Sequence, residues 1–352
     1  MIYAHIPFCE SKCPYCSFNS FAAPNPPQKA YIAALIRQFE ADLALSEGDS
    51  FGSLYIGGGS PSVFDAAGYE PFFAKVSPFL RRGAEVTIEV NPNSLSPKWA
   101  KTARSLGVNR ISVGVQSFDD RKLKRLGRAH NGESARAAIA GAVQAGFERI
   151  SVDLIYGVAG DSIALLESDL KNAKALGATH ISAYCLTIEE GTPFAAKPQT
   201  AIEDRGLARA FSRLIEAAGY PRYEVSNYGS TPSSHNMGYW EGRGYLGLGA
   251  GAVGFAKRGA ASFRYAPPSD PAAYIDDPLF KTTEIIDSAT FNDERLMLGL
   301  RCVRGFDAGV LSRKERVKAD FLVERGRLIW GENRYFNADF WLADEIWLYI
   351  KS

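Results

Sequence analysis

Three thiols stand within eight residues near the start of the chain, in the stretch Cys9-Glu10-Ser11-Lys12-Cys13-Pro14-Tyr15-Cys16. Thiolates are soft ligands, suited to zinc or to the iron of iron–sulfur clusters. Structural zinc prefers four protein ligands in C-x2-4-C pairs, and no second pair occurs anywhere in the 352 residues. Three cysteines on one tight loop suit a cubane in which one iron lacks a protein ligand and is open to a small chelating molecule. A zinc held by three thiolates, or three reduced bystander thiols, are the plainer alternatives. Cys185 and Cys302 lie far away and the total of five is odd, which reads as metal or redox chemistry rather than a disulfide framework.

Other polar residues could serve one ligand near those thiols. In Gly57-Gly58-Gly59-Ser60-Pro61 the glycines let the backbone approach a ligand closely and turn its N–H groups toward a carboxylate, and Ser60 offers a hydroxyl. Glu89 in TIEVNP is the kind of carboxylate that accepts hydrogen bonds from ribose hydroxyls or an ammonium group. Gln116 in GVQSF, Arg128 in RLGRAH and Asp153 in VDLIYG make the same offer. Taken singly, each is as well explained by a structural hydrogen bond. As a set on adjacent strand ends they are better explained by one polar ligand.

The elements that must position them alternate. Strands are predicted at 1–6, 53–56, 85–90, 110–115, 149–155 and 180–186, with helical patterns at 28–45, 98–106, 119–126, 132–145 and 162–176. Gly107, Gly146 and Gly177 stand at C-cap positions. Six strands alternating with helices argue for right-handed βα units and a parallel sheet. The fold expected is α/β, a partial (β/α)6 barrel whose polar and glycine-rich strand ends gather at one rim, although a doubly wound sheet fits the alternation equally well. The barrel is expected over 1–200 and a connecting region over 201–289, in which YLGLGAGAVGF reads as a loop or close-packed turn. A small, mainly helical domain is expected over 290–352, ending in the aromatic-rich segments RLIW, RYF and FWL.

Composition narrows the function classes. Lys+Arg 40 against Asp+Glu 39 gives a formal charge of +1, so nothing points to nucleic acid or an anionic surface as partner. The basic run RKLKRLGR reads as a solvated helix face with Arg128 turned inward. No apolar run reaches the ~18–20 residues of a membrane span, and MIYAHIPF lacks the features of a signal peptide, so a cytoplasmic protein is expected.

The Cys-x3-Cys-x2-Cys spacing, with Tyr15 before the third cysteine, resembles the radical S-adenosylmethionine (SAM) superfamily, and the triglycine segment resembles its GGE-type loop. The resemblance implies a 4Fe-4S cluster on Cys9, Cys13 and Cys16. SAM would occupy the fourth iron, and one electron would cleave its sulfonium to a 5′-deoxyadenosyl radical. In order from residue 3 to about 160, YxHIPFC, GGGSPS, EVNP, GVQSF and DLIYG resemble the oxygen-independent coproporphyrinogen III oxidase family. TIEEGTPF, SHNMGYW and LGLGAG resemble its heme-chaperone branch, most weakly after residue 310. By that pattern Tyr3, Tyr15, Gly58, Gly59, Ser60, Glu89, Gln116, Arg128 and Asp153 fall on SAM-contacting positions.

Two departures favour the chaperone branch. The oxidases carry a further cysteine two residues after the third, where this chain has Phe18, and an N-terminal extension ahead of the position of Tyr3. His235 to Trp240 match an HNxxYW signature, which makes His235 a candidate axial ligand of heme, with Tyr239 and Trp240 packing on the macrocycle. The resemblance implies a cytoplasmic chaperone that binds the cluster, SAM and heme and delivers heme to acceptor hemoproteins at the inner face of the membrane; it is compatible with a homodimer. The other function it implies is enzymatic, the oxidative decarboxylation of coproporphyrinogen III to protoporphyrinogen IX.

Overall fold

The computed structural model describes residues 1–46, 48, 50–258 and 261–352. Six parallel strands organise the first half: β1 Ile2–Ile6, β2 Phe51–Gly58, β3 Leu80–Val90, β4 Arg110–Gln116, β5 Arg149–Tyr156 and β6 His180–Cys185. They pair in sequence order. Helices Gln28–Asp42, Glu70–Val76, Pro97–Ser105, Asp120–Arg125 with Gly132–Gln144, Ile163–Ala175 and Arg205–Ala217 follow the successive strands. A short antiparallel strand, β7 Asn227–Tyr228, extends the sheet beyond β6, and β8 Leu246–Leu248 runs parallel to β1 on the other edge. The eight-stranded order is β8-β1-β2-β3-β4-β5-β6-β7, with no pairing between β7 and β8 among the described residues, so the expected βα barrel is open.

Side chains alternate across a strand, and here the two faces differ completely. One face carries Ile2, Ala4 and Ile6, Leu54 and Ile56, Val86 and Ile88, Ile111 and Val113, Ile150 and Val152, and Ile181 and Ala183, all buried in one core beneath the helices. The other carries Tyr3 and His5, Ser53 and Tyr55, Thr87 and Glu89, Arg110 and Ser112, Ser151 and Asp153, and His180 and Ser182. Register sets these polar residues side by side: Tyr55 beside Thr87, Glu89 beside Ser112, Ser112 beside Ser151, Asp153 beside Ser182. Apolar burial is therefore supplied by the helix-facing side, and the concave side is a polar lumen.

Local signals explain the helix boundaries. The side chains of Ser96, Asp119, Asn131, Ser162 and Asp204 each accept an N–H from the first turn that follows. Gly107, Gly146 and Gly177 take positive φ after the helices, as the C-cap expectation requires. Other segments differ from expectation. The helix Glu70–Val76 was not expected, its roughly two turns carrying too little periodicity. YLGLGAGAVGF is a turn only over 249–253: Leu246–Leu248 form β8, Gly254 begins a further short strand, and Gly249 (φ +106) follows β8 because a Cβ there would lie 2.4 Å from the His5 carbonyl oxygen. Nor is the basic run wholly solvated, because Lys122 is buried with its ammonium 2.9 Å from Asp161 and 4.0 Å from Asp169.

The C-terminal part buries a core of its own, including Leu296, Leu300, Phe306, Leu322, Tyr335 and Ile350. Helices Ser288–Gly299, Arg313–Glu324 and Ala343–Lys351 surround a small antiparallel sheet that was not expected, formed by Phe306–Asp307, Leu328–Gly331 and Arg334–Asn337. RLIW and RYF are the two arms of its hairpin, turned by Glu332 and Asn333 at φ 53° and 59°.

Candidate cofactor site at the strand ends

The cysteine loop leaves β1 and is pinned at both ends. Phe8–Cys9 pairs in parallel with Phe21–Ala22, and within the loop the Cys16 N–H donates to the Cys13 carbonyl at 3.1 Å. All three thiols are half-buried. The triglycine turn packs directly on this loop, with Gly59 N–H donating to Ile6 O and Ser60 N–H to Phe8 O, each at 2.8 Å. A Cβ on Gly59 would lie 2.9 Å from Cys9 Sγ, and one on Gly58 (φ +118) would lie 2.5 Å from the His5 ring. The glycines are therefore needed for close approach.

His5 is the pivot beneath. Its Nε2 lies 2.9 Å from the Asn19 carbonyl, which can only accept, so that nitrogen carries the proton and Nδ1 accepts from Tyr3 OH at 2.9 Å. Burial lowers its pKa and keeps the ring neutral.

On the far side of the mouth Arg128 performs the matching task. Its guanidinium lies 3.1 Å from Cys13 Sγ and donates to Gly114 O at 2.9 Å, tying the cysteine loop to the end of β4. His130 supports it, taking its own bearing from Val115 O at 2.9 Å, and burial followed by the charge of Arg128 pushes its pKa down to about 4. Tyr15 packs against Phe194, whose N–H donates to Pro14 O at 3.0 Å. The TIEEGTPF segment is thus a brace for the cysteine loop.

Between these walls stand two carboxylates. Glu89 accepts from Tyr55 OH at 2.7 Å and from Gly58 N–H at 3.1 Å, yet burial, reinforced by the charge of Asp153, pushes its pKa up to about 7. Asp153 accepts from Ser112 Oγ at 3.1 Å, and burial raises its pKa too. Neither has an ion-pair partner within 4 Å among the described residues. Gln116, at the end of β4, takes φ +66, a conformation that costs a non-glycine residue of order 1 kcal/mol and persists where the surroundings impose it. Thr87 Oγ1, lower in the lumen, is buried with no protein partner.

These observations test the fit of the expected groups. Burial, then the neighbouring Cys16 and Cys13, pushes the Cys9 thiol up to about 11, so that sulfur becomes anionic only together with a cationic metal group. No three metal-binding side chains among the described residues converge as a single ion requires. A cubane shares its ligands among separate irons, and the thiols fit it better than they fit zinc. Paired carboxylates without a cation, a strained amide and a glycine cradle fit a cationic ligand bearing hydroxyls.

The structure brings Cys9, Cys13, Cys16, Tyr15, Gly58, Gly59, Glu89, Gln116, Arg128 and Asp153 to one mouth. Tyr3 lies below it as a support of His5, and Ser60 is buried with its hydroxyl 3.4 Å from Ser62 Oγ. His235 is elsewhere. It lies in the helix Ser234–Trp240 under the N-terminal ends of the strands, 0% exposed, with Nδ1 2.9 Å from Ser53 Oγ and Nε2 2.9 Å from Tyr239 OH. With both nitrogens engaged and burial lowering its pKa to about 3, the ring is placed as a structural member of the barrel floor, and neither nitrogen is free for the expected role of axial ligand in this conformation. Glu85 fixes that floor, accepting from Ser233 Oγ at 3.0 Å and from the N–H groups of Ser234 and His235 at 3.1 Å.

Tyr55, His130, Phe194 and Glu85 went unnoticed in the sequence. The signal for Tyr55 and Glu85 was the period-2 recurrence of polar residues in every strand, where a buried parallel sheet ordinarily reads as continuous apolar runs. His130 and Phe194 act through backbone contacts that leave no such pattern.

Comparison with known proteins agrees with this geometry. Residues 3–172 match the model of the Radical SAM superfamily. The heme chaperone HemW of Escherichia coli is 37% identical over 261 residues, which cover 72% of this chain and 69% of that protein. HemW of Lactococcus lactis is 34% identical over 318 residues, covering 85% and 80%. Among solved structures, coproporphyrinogen III oxidase (HemN) from Escherichia coli, described as a radical SAM enzyme, superposes with a TM-score of 0.78 at 18% identity, covering 100% of this chain and 89% of that one.

Proposed function

The chain belongs to the heme chaperone HemW family within the radical SAM superfamily, and we propose that it binds a 4Fe-4S cluster, SAM and heme and passes heme to acceptor hemoproteins. The observation that carries this reading is a likeness to HemW that continues past the cofactor mouth, through the HNxxYW helix, to cover 85% of the chain. The oxidase likeness at 18% identity speaks for the fold alone.

In this reading Cys9, Cys13 and Cys16 hold the cluster, and Arg128 donates to the Cys13 sulfur and fixes its position. Glu89 and Asp153 receive the cation and hydroxyl groups of SAM, Gln116 offers its amide, and the Gly58–Gly59 turn gives backbone room. Tyr15 and Phe194 exclude water from one side of the loop. When bound and reduced, the cluster would supply one electron to the sulfonium of the SAM that these residues would hold. Among the described residues no helix is long and apolar enough to cross a membrane. The likeness to HemW supports a cytoplasmic protein that meets the inner face of the membrane by peripheral contact.

The test is anaerobic, on cluster-reconstituted protein supplied with reductant, SAM and coproporphyrinogen III, with a parallel heme titration followed at the Soret band. Stoichiometric heme binding without decarboxylation is expected. Catalytic formation of protoporphyrinogen IX would instead make the protein an oxidase despite Phe18.

A further inference from the structure

The last residue of the HNxxYW helix, Trp240, opens on a cavity of ≈ 530 Å³ between the barrel floor and the C-terminal domain, at the rim opposite the cysteine loop. That volume is in the range of small-molecule and cofactor sites. Four arginines line it, Arg243, Arg295, Arg304 and Arg334, against three carboxylates, Glu241, Asp307 and Glu332. Glu241 already holds two of the arginines, with Arg304 Nε at 3.1 Å and Arg243 in contact. Arg334 is itself held in place, donating to the carbonyls of Arg304 and Gly305 at 2.9 and 3.0 Å. Trp240, Val303 and Phe336 supply apolar wall, with Val303 exposed to the cavity side. Among the described residues that line the cavity there is no histidine, cysteine, methionine or tyrosine.

We infer that this cavity holds the tetrapyrrole by its two edge carboxylates and its flat face, with the arginines on the carboxylates and no side chain of the cavity on the iron; the inference rests on the heme-chaperone reading. Guanidinium groups match carboxylates in paired hydrogen bonds, and aromatic and aliphatic walls suit the macrocycle. Such a site suits delivery. An acceptor's own axial ligand can take the iron while the arginines still grip the opposite edge, so no bond to iron has to break before transfer.

The experiment uses full-length, cluster-reconstituted protein titrated with hemin and, separately, with iron-free protoporphyrin IX. Comparable affinities for the two, within about threefold, are expected. The double variant Arg243→Ala/Arg304→Ala should bind both about tenfold more weakly, as expected for the loss of two half-exposed charge pairs. Val303→Asp, which alters only an exposed wall, should weaken both as well, with SAM affinity and iron content unchanged in each variant. Binding of hemin but not of protoporphyrin would show that iron coordination carries the interaction and would overturn the inference. So would unaltered binding by both variants, which leaves the chaperone reading standing. Failure of the wild-type protein to bind either compound would overturn the heme reading itself.

Discussion

Replacing Glu89 by glutamine should make the apoprotein more stable at alkaline pH while damaging its ligand site. Glu89 is ionised in the unfolded chain above about pH 4.5, but in the folded one burial and the charge of Asp153 push its pKa up to about 7. Below pH 4.5 it is protonated in both states and contributes no difference. Between those values the unfolded chain releases the proton that the folded chain keeps, so stability falls as pH rises. Above pH 7 the cost levels off at about 3 kcal/mol, taking about 1.4 kcal/mol for each pKa unit. Glutamine escapes this cost and keeps both contacts, its amide oxygen accepting from the Gly58 N–H while its amide nitrogen donates to the Tyr55 hydroxyl oxygen. The expected result is a gain of about 3 kcal/mol at pH 8 that shrinks nearly to nothing at pH 4.5, read by urea unfolding of the apoprotein. At pH 8 calorimetry should also show SAM binding about tenfold weaker, as for one lost charge-assisted contact. A variant less stable than wild type at pH 8, or one whose gain is the same at both pH values, would refute the reasoning.

Three further outcomes are expected. Cys9→Ala, Cys13→Ala or Cys16→Ala should each abolish the cluster's visible absorbance and Cys302→Ala should not; an intact spectrum in any of the first three would remove that residue from the ligand set. Gly59→Ala forces a methyl group to within 2.9 Å of Cys9 Sγ and 2.8 Å of Phe8 O, so iron per chain should fall well below wild type, whereas normal iron content would show that the loop yields. His235→Ala removes the bonds to Ser53 and Tyr239 and leaves a hole in the floor, a loss of about 3 kcal/mol by urea unfolding with heme stoichiometry unchanged; a lost heme complex in a folded variant would restore it as a ligand.

Much of the mouth could be read before any coordinates. Glycine clusters, acids and an arginine recur where strands end, and strand ends must gather in a parallel sheet. What could not be read depended on partners distant in sequence. The imidazole of His235 has the chemistry of a heme ligand, and only the nearness of Ser53, 182 positions away, shows that its nitrogens are taken. The three residues of β8 form a strand because β1 offers an unpaired edge and Gly249 admits the His5 carbonyl; neither condition lies within LGLGAG itself. The hairpin of the C-terminal domain turns on Glu332 and Asn333 at positive φ, where glycine is the commoner signal and a glutamate gives none.

The division of each strand into an apolar and a polar face bears on how this chain can change over generations. Composition can drift on either face separately: replacing Ser112 or Ser182 alters the lumen without touching the helix contacts, and trimming Ile88 or Val152 does the reverse. Length cannot drift. Deleting one residue within β3 would turn the Glu89 carboxylate toward the helices and Ile88 into the lumen, exchanging the contents of both faces at once. Inheritance through such strands should therefore accept many substitutions and reject single-residue insertions and deletions, leaving changes of length to the connections between them.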